Sequence, residues 1–218
     1  YHHIVPDEDK NSEQWKKNID TMAAGEFDEQ MGILKNNGFH TITLEELYQW
    51  KKGEIEIIGK PMVITFDDGY KSSREIAAPI LKKHGFKGIV FVIGKGLRQK
   101  TEEWDGQILQ YLSLEEIKPD DTLLYYSHTY GMHRRRDGEP LLEVSTEEEI
   151  RDDFDKEAEI CSNRFLSYPY GRANDKTIRI AKEKGTVMAF VTVKGNVTRS
   201  DDDFRLPRWA MYPGHTIE

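Results

Sequence analysis

Two aspartates stand side by side in VITFDDGY, residues 63–70, where an apolar run (Val63, Ile64, Phe66) gives way to Gly69. Asp-Gly is ordinary turn chemistry, and one Asp satisfies it. A second carboxylate makes each harder to ionise. The pair therefore implies a positive charge nearby, or an acid meant to hold or take a proton. A second polar cluster, SHTYGMH at 127–133, follows the apolar run LLYY. His128 and His133 are five residues apart, the wrong spacing for one helix face. A loop leaving a strand can still turn both imidazoles inward, and Gly131 gives it the freedom. Two imidazoles and one carboxylate make a hydrolytic metal site with positions open for water and substrate. One aspartate then binds the ion, which keeps it charged, and the other is free to take a proton from water. The third cluster is SYPYG, residues 167–171. Pro169 and Gly171 make a tight turn, either a plain rigid one or one that aims the Tyr170 N–H at a developing oxyanion.

Strand ends must carry these clusters. Patterning predicts strands at 1–5, 62–66, 88–93, 123–126, 165–168, 187–193 and 206–211. Helices are expected at 26–36, 44–52 behind a Thr43/Glu46 capping box, 73–84 and, briefly, 114–117. Two more are expected at 146–163 behind a Ser145/Glu148 box and at 175–184 behind Asn174. Strands alternating with helices imply βαβ units and a parallel sheet, as in a small, irregular β/α barrel. In such folds chemistry gathers at the C-terminal ends of strands, where Asp67 and Asp68 fall.

The 218 residues suit one large domain or two small ones, and no linker or repeat divides them. A net charge of −8 argues against nucleic acid, since no basic stripe is present to neutralise phosphates. The single dense basic run, Arg134–Arg136, reads as a solvated loop. The lone Cys161 excludes an internal disulfide and a cysteine zinc site. No apolar run approaches a membrane span. The sequence opens on Tyr1 without Met, so a leader or anchor ahead of it is an expectation.

Taken together, TFDDG at 65–69, the histidine pair and YPYG make the chain resemble a polysaccharide deacetylase of the NodB-homology type, carbohydrate esterase family four. The resemblance runs from Tyr1 to about Met211 and implies a single catalytic domain, a distorted (β/α)7 barrel, that removes N-acetyl groups from N-acetylglucosamine polymers. It implies a divalent metal, zinc first, with Co2+, Ni2+ or Fe2+ as alternatives. By the same resemblance Asp67 is the catalytic base, Asp68, His128 and His133 hold the metal, and the Tyr170 N–H helps hold the oxyanion.

Three departures from the family pattern matter. The histidine motif is one residue longer than H-[ST]-x-x-H, which resembles the subgroup acting on poly-β-1,6-N-acetylglucosamine of biofilm matrix. The Arg that steers the base is replaced by Ser167, leaving Arg208 of RLPRW as the candidate guanidinium. The late Leu-x-His source of the general acid has no match beyond His215. In the biofilm-polymer subgroup the motif order looks circularly permuted, with that His on the first strand. YHHI then offers His2, with His3 facing the other way because strand side chains alternate. Tyr130 and Trp209 are candidates to stack on sugar faces. The expected partner is the polysaccharide, with no nucleic acid, a monomeric state and an extracellular or cell-surface location. Peptidoglycan or chitin-type oligomers are the alternative substrates, a silent carbohydrate-binding relative and a hydrolase of non-sugar amides the alternative functions.

Overall fold

The structure, a computed structural model, describes residues 1–217. Strands β1 (His3–Val5) and β2 (Thr21–Ala23) pair in parallel, as do β3 (Phe39–Thr41) and β4 (Lys60–Met62). Five more strands, β5 (Ile64–Phe66), β6 (Gly88–Val92), β7 (Leu123–Ser127), β8 (Phe165–Ser167) and β9 (Met188–Phe190), form one parallel sheet in the order β9-β8-β7-β6-β5. Helices α1 (Ala24–Asn36), α2 (Leu44–Lys51), α3 (Ala78–His84), α4 (Glu147–Ala158) and α5 (Asp175–Glu183) supply the crossovers and outer layer.

The sheet curls, and chain segments extend both edges. Beside β5, the Tyr1 carbonyl accepts the Asp67 N–H at 3.1 Å. Beside β9, Leu206 exchanges backbone hydrogen bonds with Ala189 and Val191. Arg208, just beyond, reaches back to the Thr65 hydroxyl at 3.3 Å and so joins the two edges. The result is the distorted α/β barrel that the alternation predicts.

Alternation along the strands decides what faces inward. Ile89, Phe91, Phe165, Met188, Phe190 and Leu206 form one buried cluster, with Leu124 and Tyr126 packed against it. Arg208 lies over the Phe91 and Phe190 rings, which puts it on the same inner face. Val90, Val92, Ile64 and Phe66 point the other way, onto Phe27, Met31 and Leu81 of the helices. Continuing the inward parity past the strand ends gives Asp67 after Thr65 and His128 after Tyr126; within β8 it puts Ser167 on the same face as Phe165.

Several expected elements differ. The 62–66 strand is two: β4 pairs with β3, and β5 joins the main sheet. The 73–84 helix opens with a π-turn over Ser73–Ala77 before α3. Residues 114–117 form a turn, because Glu116 is drawn inward to accept the Ser113 N–H and to pair with Lys71. The second capping box is Thr146 with Glu149, one residue later than predicted, since Ser145 is buried against Met132. Residues 206–211 make a single bridge through Leu206 rather than a strand, as Pro207 has no N–H to extend a ladder.

Candidate active site

Each of the three polar clusters turns on a residue in the left-handed region: Asp68 (φ 77), Thr129 (φ 69) and Tyr170 (φ 60). Only one other non-glycine residue among those described, Asp137, shares that conformation. Such backbone costs of order 1–3 kcal/mol per residue and concentrates where geometry matters. At β5 the left-handed Asp68 breaks the strand's alternation, so that Asp67 and Asp68 can serve one cavity. After β8, Gly171 (φ 63) lies so close to Thr192 that any Cβ would drive into its backbone and side chain.

The turns converge on a cavity of about 300 Å³ bordered by His2, Asp67, Asp68, His128, His133, Tyr170, Arg208 and Trp209, among others. Asp68 Oδ1 is buried without a hydrogen-bond partner. His128 Nε2 stands 3.4 Å from it and His133 Nε2 3.5 Å. Ligand atoms around a tetrahedral ion with bonds of 2.0–2.1 Å lie about 3.3 Å apart, close to the spacing of each imidazole nitrogen from Asp68 Oδ1, and all three atoms lie within 4.8 Å of one another. The three residues form a group able to hold a metal ion. The His128 Nδ1–H donates to the Ser167 carbonyl at 2.6 Å, which turns Nε2 toward Asp68. Burial pushes the His128 imidazole down, but Asp68 and Asp67 outweigh it and hold it above its ordinary value. Burial and the neighbouring His128 push His133 down.

Asp67 is buried beside this trio. Arg208 grips it as a fork, Nη1 on Oδ1 and Nη2 on Oδ2, both at 2.8 Å. The Ser167 hydroxyl donates to Oδ2 at 3.0 Å and accepts from Arg208 Nη2 at 2.9 Å. Burial pushes the Asp67 carboxyl up, but the Arg208 charge and hydrogen bonds win and hold it far below the usual carboxylate range. Arg208, the candidate guanidinium, therefore lies in direct contact with Asp67. Ser167, seen in the sequence only as the residue replacing an Arg, ties its hydroxyl to Asp67 and its carbonyl to His128. Its one sequence signal was inward parity with Phe165.

His2 lines the cavity near enough for Asp67 and Asp68 to act on its charge, although burial carries its imidazole below the ordinary value. His3 also borders the wall, but its ring meets Thr21 at 3.2 Å and packs on Trp15. His215 is not among the lining residues; its ring rests on Tyr212. No acceptor among the described residues takes the Tyr170 N–H, and the Tyr170 ring lies 4.5 Å from that of His133. Trp209 is half-exposed at the rim. Tyr130 is elsewhere: it lines a second cavity with Lys95, Arg136 and Asp153, behind the histidine loop.

Comparison with known proteins agrees with this geometry. The family profile described as Polysaccharide deacetylase matches residues 54–189. The chain is 31% identical over 199 residues to YxkH of Bacillus subtilis, whose name as a polysaccharide deacetylase is provisional; the match covers 87% of this chain and 65% of that protein. It is 26% identical over 196 residues to the poly-β-1,6-N-acetyl-D-glucosamine N-deacetylase of Staphylococcus aureus (strain MRSA252), covering 86% of this chain and 67% of that one. The solved IcaB of Ammonifex degensii superposes with a TM-score of 0.75 at 26% identity, over 95% of this chain and 88% of that one. Streptococcus pyogenes deacetylase PplD, solved with acetate, gives 0.77 at 23% identity over 98% and 91%, a likeness of fold.

Proposed function

The chain belongs to the polysaccharide deacetylase family, and on that premise we propose that it is a metal-dependent hydrolase that removes N-acetyl groups from a polysaccharide of N-acetylglucosamine, poly-β-1,6-linked by preference. The observation that carries this reading is the unpartnered Asp68 Oδ1 facing two imidazoles, with a separately anchored carboxylate beside it. Such a constellation suits hydrolysis. A structural ion would need no spare acid, and a sugar-binding surface would need neither. The linkage preference rests on the long histidine motif, on His2 just ahead of the first strand and on the Staphylococcus aureus relative that bears that name.

Asp68, His128 and His133 would hold the divalent cation, zinc by donor type. When bound, it supplies Lewis acidity to an amide carbonyl and to a water. Asp67 accepts the proton that water gives up. Its Oδ1 takes one charged hydrogen bond and Oδ2 takes two partners, so Oδ1 keeps the more available lone pair. Arg208 keeps Asp67 ionised and fixes its plane. The Tyr170 N–H stabilises negative charge developing on the acetyl oxygen. His2 delivers a proton to the sugar nitrogen, because an amide anion cannot leave at neutral pH. Amide and water become amine and acetate, and both proton carriers return to their starting states through solvent. We place this activity outside the cell, where such polymers lie.

The test is release of free amine from β-1,6- and β-1,4-linked N-acetylglucosamine oligomers with added zinc. Faster release from the β-1,6 series supports the full reading. Release from the β-1,4 series alone moves the substrate to chitin or peptidoglycan. Zinc bound with no amine from either would leave a silent sugar-binding relative.

A further inference from the structure

Asp153 lies on α4, outside the cavity's lining and outside all three motifs, yet its carboxylate is buried under the loop between His128 and His133 (5% exposed). Oδ2 accepts the Tyr130 N–H at 2.9 Å and Oδ1 accepts the Gly131 N–H at 2.7 Å. Two successive main-chain N–H groups after a left-handed residue form a concave anion site. Here Thr129 is the left-handed residue and Asp153 is the anion. A β-branched residue resists that backbone, so the loop needs an outside hold. Its other ties are mostly neutral: Met132 N–H to Thr129 Oγ1 and Gly94 N–H to the Thr129 carbonyl, both at 3.3 Å, and Lys95 N–H to the Tyr130 carbonyl at 2.8 Å; the one charged donor, the exposed Arg134 guanidinium, reaches the Gly131 carbonyl only at 3.4 Å. Charge-assisted bonds are roughly twice as strong as neutral ones.

The two histidines depend on this loop unequally. His128 is fixed before the loop begins, its N–H on the Val92 carbonyl at 2.7 Å and its ring on Ser167. His133 follows Gly131 by two residues and is part-exposed, so its position is set by the path of the loop.

We propose that Asp153 is a positioning residue: by clamping the Tyr130 and Gly131 N–H groups it sets His133 against Asp68 and thereby the affinity of the site for a divalent cation. This rests on the reading of Asp68, His128 and His133 as a metal site. Burial pushes the Asp153 carboxyl up to about 6, against the pull of the two N–H groups. At pH 7.5 it is still chiefly the carboxylate, the form that accepts both.

The experiment is zinc affinity by chelator competition at pH 7.5 on the whole chain, with the apo melting temperature measured alongside. Asp153→Asn keeps one acceptor and should weaken zinc about 10-fold; Asp153→Ala keeps none and should approach 100-fold, the range seen when outer-shell partners of metal ligands are removed. The control is Asn163→Ala, which removes a buried amide bonded to the Phe154 carbonyl on the same helix. It should lower the melting temperature and leave zinc affinity unchanged. If both Asp153 variants bind zinc like the parent, or if Asn163→Ala weakens zinc equally, the clamp is merely structural and the proposal fails. Should Asp153→Ala not fold, Asp153→Asn decides. If the parent and its His128→Ala variant bind zinc equally, the metal reading itself falls and takes the proposal with it.

Discussion

His128 leaves β7 with its N–H still paired to β6 and its ring held by the Ser167 carbonyl, whereas His133 hangs from a loop whose shape depends on a strained Thr129. The contrast extends across the site. Asp67, His128, Ser167 and Arg208 sit on or one residue past strand ends, or span the sheet edges, and form one charge-assisted network in which all but the part-buried Arg208 are buried. His133, Tyr170 and Trp209 are part-exposed and sit on turns. The difference separates two jobs. On the proposed function, the strand half would fix where a proton is taken and one side of an ion, and the loop half would close the other side and meet the substrate. Damage to the first should appear in the chemical step, and damage to the second in affinity.

The strongest test of that division is Asp67→Asn. The amide is nearly isosteric and can still meet Ser167, but it cannot take a proton. Turnover should fall by about 10²–10⁴, with zinc affinity held within severalfold. Steady-state deacetylation and zinc titration on the same protein check it. A zinc loss as large as the rate loss would mean that Asp67 belongs to the ion rather than to the water, and the two halves would merge.

Next in size is Arg208→Lys. Lysine keeps the charge but not the planar fork that binds both Asp67 oxygens. Asp67 should stay ionised yet lose its fixed plane. Misplacement on the ångström scale costs up to about 10²-fold, and here the fall should be in kcat with KM little changed. A rise in KM alone would assign Arg208 to substrate binding.

How far these residues were visible in the sequence follows the same division. Asp67, Asp68, His128 and His133 were legible as candidates because few side chains can hold a metal or take a proton, and all four follow the C-terminal ends of strands, which puts them at one end of the sheet. Arg208 was a candidate without a place: nothing in RLPRW says that the segment crosses from one sheet edge to the other. Ser167 was visible as a substitution and silent about its role. Asp153 gave no signal, since its partners are main-chain groups some twenty residues away in a loop whose path the sequence does not state. Most strands and helices fall where the patterning predicts; the helix start that was misplaced has the same cause. STEEE contains two overlapping capping-box frames, and burial of Ser145 chose the later one.

The loop half also rests on an acid that is costly at high pH. Glu157, one turn beyond Asp153, accepts the Gly94 N–H at 3.1 Å, and that N–H also meets the Thr129 carbonyl. Burial pushes the Glu157 carboxyl up to about 8. Between its unfolded value near 4.5 and that folded value, the native state holds a proton that the unfolded chain has released. Stability therefore falls as pH rises through this window. Glu157→Gln removes the titration. Its melting temperature should differ little from the parent's at pH 5 and exceed it at pH 9, by several degrees. Parallel melting profiles across that range would show that Glu157 is not held neutral in the fold.

The smallest effect is expected at the rim. Trp209 lines the cavity but is 52% exposed, with its indole N–H on Asn196 at 2.9 Å and Lys194 4.4 Å from its ring. One ring face already carries a cation, so at most one remains for a sugar. Aromatic pairs are worth about 0.5–1.5 kcal/mol beyond burial, and a sugar face stacked on the free side of the ring is expected to give a similar, roughly 2- to 10-fold, gain in binding. Trp209→Ala should raise KM by that factor on oligomers long enough to reach the rim, leave kcat alone, and leave short oligomers unaffected. The dependence on chain length is what separates a subsite from a general loosening. Arg208 immediately precedes Trp209, so a distortion passed along the backbone would reach Asp67 and lower kcat on every oligomer. A fall in kcat independent of length would therefore move Trp209 from the loop half of the site into the strand half.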